Sequence, residues 1–142
     1  MHDFRLRDWL GAHRAIALSL AVTLGLRAWF AIWGAVVILT SNAPSVTNLP
    51  PMYQGLVHDP NGWVGLVLAP WLRWDATFYL RTAEFGYVPT DASPSFFPLF
   101  SILTRAAALV TQDYLVAGLT VSTLAFFFAL VLLYRLSARI FD

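Results

Sequence analysis

Residues 16–39 form 24 consecutive positions whose only charge is Arg27. At ~1.5 Å of rise per residue, a helix of that length crosses the ~30 Å hydrocarbon layer of a bilayer with some tilt. A helix apolar on all sides needs a large core or lipid around it, and a chain of 142 residues offers little core. The stretch therefore predicts a first membrane span. It is too long for a signal-peptide core, carries Trp29 and Trp33, and lacks a small-residue cleavage pattern, which predicts a retained anchor. Arg5, Arg7 and Arg14, with His2 and His13, precede it and place residues 1–15 in the cytoplasm. Composition agrees with a membrane protein: 58% hydrophobic, 12% charged, mean hydropathy +0.65. A net charge of +1 without any basic run argues against nucleic acid as a partner. With no cysteine, disulfides and thiol chemistry are excluded. All nine basic residues are arginine, which points to a GC-rich bacterial genome and hence to the bacterial plasma membrane.

The rest of the chain reads as one all-α, polytopic membrane module over residues 1–142. Residues 40–95 carry Arg73 and Arg81 against Asp59, Asp75, Glu84 and Asp91, a balance suited to an extracytoplasmic loop. Its first part, with Pro44, Pro50 and Pro51, predicts irregular backbone. Residues 62–70 are apolar but too few to span, so an interfacial or buried piece is expected. Residues 71–85 predict a short helix stopped by Gly86. Residues 96–111 predict a second, short helix that tolerates Pro98 in its first turn, and residues 114–136 a third. Arg105 in the second helix is expected to snorkel toward an interface. Two topologies are open: the second helix crosses, leaving Gln112 and Asp113 as a cytoplasmic turn, or it lies in the interface and the last helix runs inward.

One carboxylate stands out. Asp75 lies within helical spacing of Trp71, Phe78, Tyr79 and Thr82. Aromatic rings can stack on sugar faces, and a partly desolvated carboxylate is a better general base toward a hydroxyl. The competing reading is an interfacial Asp bonded to a helix end, or paired with Arg73 or Arg81. Glu84, nine positions on, falls about half a turn away and cannot share its face. His58 and Asp59 read as a solvated loop. Arg27 needs compensation inside the span: it either grips a lipid-linked phosphate or pairs structurally within the bundle. No phosphate loop, zinc-protease helix, nucleophile elbow or nucleotide-binding strand pattern is present, so a soluble nucleotide donor is not expected.

The run Arg73-Trp74-Asp75-Ala76-Thr77-Phe78-Tyr79-Leu80-Arg81-Thr82-Ala83-Glu84-Phe85-Gly86-Tyr87, followed by Ser95-Phe96-Phe97-Pro98-Leu99-Phe100, resembles the GPI mannosyltransferase 2 (PIG-V-like) family. The resemblance extends over roughly residues 14 to 140. It implies a GT-C architecture, a polyprenyl-phosphate-mannose donor, and Asp75 with Trp74 as the catalytic pair on the first external loop. Arg27, Tyr79 and Arg81 are then the candidate substrate-binding residues, a divalent metal is possible, and membrane lipid is the surrounding partner. It also favours a crossing second helix and thus three spans. Family members are much longer, so the expectation is an N-terminal part of such an enzyme, incomplete alone, with a second membrane chain completing the bundle. The rival reading is a non-catalytic membrane subunit that keeps these helices as a docking surface.

Overall fold

The computed structural model describes residues 2–40, 63–90 and 93–141, and every regular element in them is helical. Helix α1 is His2–Thr40, α2 is Trp63–Leu68, α3 is Asp75–Phe85, α4 is Pro98–Thr111 and α5 is Tyr114–Phe141. Single 3₁₀ turns occupy Ala69–Trp71 and Ser93–Ser95. Two helices are long and apolar enough to cross a membrane, Gly11–Thr40 and Tyr114–Phe141. Helix α4, with 14 residues, measures ~21 Å. The first and last helices exceed their expected bounds, and neither extension contains a proline to stop it. The expected irregular loop at 41–51, with His58, Asp59 and Asp91, lies outside the described residues.

The chain divides into two units, one from Met1–Ala28 with Ser122–Asp142 and one from Trp29–Val121. In the first, Ala15, Ser19 and Thr23 are buried while Ile16, Leu20 and Leu24 point outward. This inverts the pattern of a water-soluble helix. Small and hydroxyl residues inside, with large aliphatics outside, is how helices pack when lipid is the surrounding medium. One position further along the same four-residue row, the Arg27 Nη2 donates to Ser122 Oγ at 2.8 Å. Arg27 ends this unit's part of α1 and Ser122 begins its part of α5. The buried row and Arg27 thus share one face of α1, the face that meets Ser122.

The second unit is built around Leu72, Leu80 and Leu115, with Leu68, Trp71 and Leu119 packed against them. Trp71 meets Phe30 edge-on, ring centres 6.4 Å apart. The Ala69–Trp71 turn also abuts α1 at Gly34, where an added Cβ would sit 2.7 Å from Pro70 Cβ and Cγ. A pyrrolidine ring cannot swing aside as a flexible side chain can. Gly34→Ala should therefore lower stability by about 1–2 kcal/mol, seen as a lower unfolding midpoint in detergent. Gly25→Ala, which meets nothing within 4 Å, should raise it by about 0.5–1 kcal/mol through helix propensity.

Candidate functional site

The site grows out of a sharp change of direction after the buried Leu72. Its N–H donates to Ala69 O at 3.0 Å, closing the 3₁₀ turn, and its side chain is 1% exposed. The next three residues, Arg73, Trp74 and Asp75, are all exposed. Ala76 N–H donates to Arg73 O at 3.2 Å, and Trp74 has φ 53° and ψ −129°. Those values are the first central position of a type II′ turn, a conformation that glycine favours and a side chain makes costly. The expected helix over 71–85 therefore begins only at Asp75, and Trp71 belongs to a separate turn. The β-turn won over the helical pattern because Leu72 and Trp71 are claimed by the core.

Asp75 opens α3, where its negative charge meets the positive end of the helix dipole. Its side chain is exposed rather than covered by the neighbouring aromatics. Those aromatics have another task. Phe78 stacks on Phe96 with ring centres 4.9 Å apart, and Tyr79 sets its edge against Phe96 at 5.0 Å and Phe100 at 5.3 Å. Thr82 is buried rather than lining an open face. Arg81 lies six positions from Asp75, about 240° round the helix, with its guanidinium carbon 5.5 Å from the Phe85 ring centre. Arg27 belongs to the first unit, where its guanidinium donates to the Ser122 hydroxyl.

The segment after α3 returns to it through specific bonds. Gly86, with φ 82°, ends the helix as expected and donates its N–H to Thr82 O at 2.9 Å. Ser93 Oγ accepts from Val88 N–H at 2.8 Å and donates to Val88 O at 3.3 Å. Tyr87 Oη donates to Phe96 O at 2.7 Å, and Ser101 Oγ donates to Tyr79 O at 3.0 Å. Phe97 is extended ahead of Pro98, which starts α4 because its missing N–H costs nothing in a first turn. Residues 73–90 and 93–101 are thus tied to one another, with the exposed Trp74 and Asp75 where α3 begins. Sequence reasoning had not given roles to Tyr87, Ser93 or Ser101; a Tyr just after a helix-ending Gly was the available signal.

This arrangement offers one exposed carboxylate able to accept a proton and one exposed indole, 86% accessible, able to lie against a ring or an apolar chain. Among the described residues no three of His, Cys, Asp and Glu converge as metal ligands. Comparison of the chain with protein-family models, curated proteins and solved structures finds no match, and the reading of this site rests on its residues and geometry.

Proposed function

We propose that the chain is a membrane glycosyl-transfer module that moves mannose from a polyprenyl-phosphate donor to an acceptor hydroxyl on the extracytoplasmic side. Asp75 accepts the proton of the acceptor hydroxyl, whose oxygen attacks the anomeric carbon as the lipid phosphate leaves. Trp74 supplies an apolar surface beside the reacting ring, and Arg81 a cation on the same helix for phosphate. Tyr79 acts at one remove, holding α3 on α4 through its two ring contacts. The observation that carries the reading is that the two residues singled out for chemistry are both exposed at the start of α3, a helix fastened to α4 and the turn before it.

Helices α1 and α5 have the length and apolar surface to hold such a module in a bilayer. That matches a donor whose sugar is delivered on a lipid. Membranes holding the chain together with a second membrane chain that completes the bundle should transfer label from polyprenyl-phosphate mannose and not from a nucleotide-linked mannose. Transfer from the nucleotide sugar with the lipid-linked donor inert would contradict the proposal.

A further inference from the structure

Helix α4 is built inside out. Leu99, Ile102, Leu103, Leu109 and Val110 are exposed and occupy about 120° of its circumference, with Leu109 and Val110 at 76% and 85%. On the opposite side, Ser101, Thr104 and Ala108 are buried. Arg105 is exposed at the margin of the apolar stripe. A stripe flanked by a cation is the pattern of a helix lying along the boundary between acyl chains and headgroups. At ~21 Å the helix is also well short of the ~30 Å needed to cross.

Packing inside the second unit bears on the same question. A Cβ on Gly118 would lie 2.7 Å from Leu80 Cδ2 and 3.8 Å from both Phe100 and Thr104. The start of α5 therefore lies beside α3 and α4, with Gly118 only ~6 Å along the helix from Tyr114. If α4 crossed, the Gln112–Asp113 turn would reach the far surface and draw α3, with Asp75, Arg81 and Glu84, into the hydrocarbon. Charges there are expensive. If α4 stays on the near side, α3 and the turn share one aqueous surface.

We propose that α4 is a lipid-contact helix in the plane of the extracytoplasmic leaflet, with its Leu99–Val110 stripe in the acyl layer and Arg105 at the headgroup phosphates. Only α1 and α5 cross, and the start of α1 and the end of α5 face the cytoplasm together. The charges agree: Arg5, Arg7 and Arg14 lie at one end, Arg135 and Arg139 at the other, while residues 41–113 hold three Arg against five Asp and Glu. This topology stands whether or not the chain transfers a sugar.

The protein has no cysteine, so single cysteines report cleanly. His2→Cys, Thr90→Cys, Gln112→Cys and Phe141→Cys would each be treated with a membrane-impermeant maleimide in right-side-out vesicles, before and after permeabilisation. The expected pattern is labelling at 90 and 112 in intact vesicles, and at 2 and 141 only after permeabilisation. Labelling of 112 from the side opposite to 90 would overturn the proposal, as would 2 and 141 on different sides. Gln112 has a left-handed backbone, so Thr111→Cys repeats the measurement should the first variant fold poorly.

Discussion

Trp74→Gly should be more stable than Trp74→Ala by about 1–2 kcal/mol. Both variants remove the same exposed ring, whose loss from the surface costs little burial, so the difference between them isolates the backbone. At φ 53° a Cβ crowds the following carbonyl, and glycine escapes that contact. The neighbouring turn hydrogen bond, Ala76 N–H to Arg73 O, is kept in both. The check is the unfolding midpoint of the two variants in the same detergent. Equal midpoints would mean the turn is not strained. Both variants should at the same time lose sugar transfer relative to the wild type. A side chain held at a backbone position that glycine would occupy more cheaply, and whose loss lowers activity, is retained for work rather than for holding the fold together.

Much of this fold was legible because helices long and apolar enough to cross a membrane announce themselves by length and apolarity. The span at 16–39 falls within α1, and Gly86 and Pro98 mark a helix end and a helix start for reasons intrinsic to those residues. The start of α3 was not legible. A Trp in a glycine-type turn breaks the local rule, and only the burial of Leu72 in a core drawn from distant segments imposes it. Likewise Phe78 and Tyr79 have the spacing of a ring-lined site, but their partners Phe96 and Phe100 lie about twenty positions away across a loop. Spacing along one helix cannot tell an open aromatic face from one covered by another helix. The partner of Arg27 is separated from it by 95 positions, a pairing that no local pattern encodes.

In the proposed reaction Asp75 takes the proton from the acceptor hydroxyl. Asn has nearly the same shape and keeps the start of α3 intact, but it has no basic oxygen to receive that proton. Removing a general base of this kind slows transfer by roughly 10²–10⁴-fold. Glu84, about half a turn away on the same helix, provides the control, and Glu84→Gln should leave the rate near that of the wild type. Trp74 and the rest of the 73–101 segment are untouched in both variants. The most direct measurement is the initial rate of mannose transfer from labelled polyprenyl-phosphate mannose by membranes carrying the wild type, Asp75→Asn or Glu84→Gln at matched protein levels. The rate for Asp75→Asn should fall at least a hundredfold below the other two; a rate equal to theirs would remove Asp75 from the role of base.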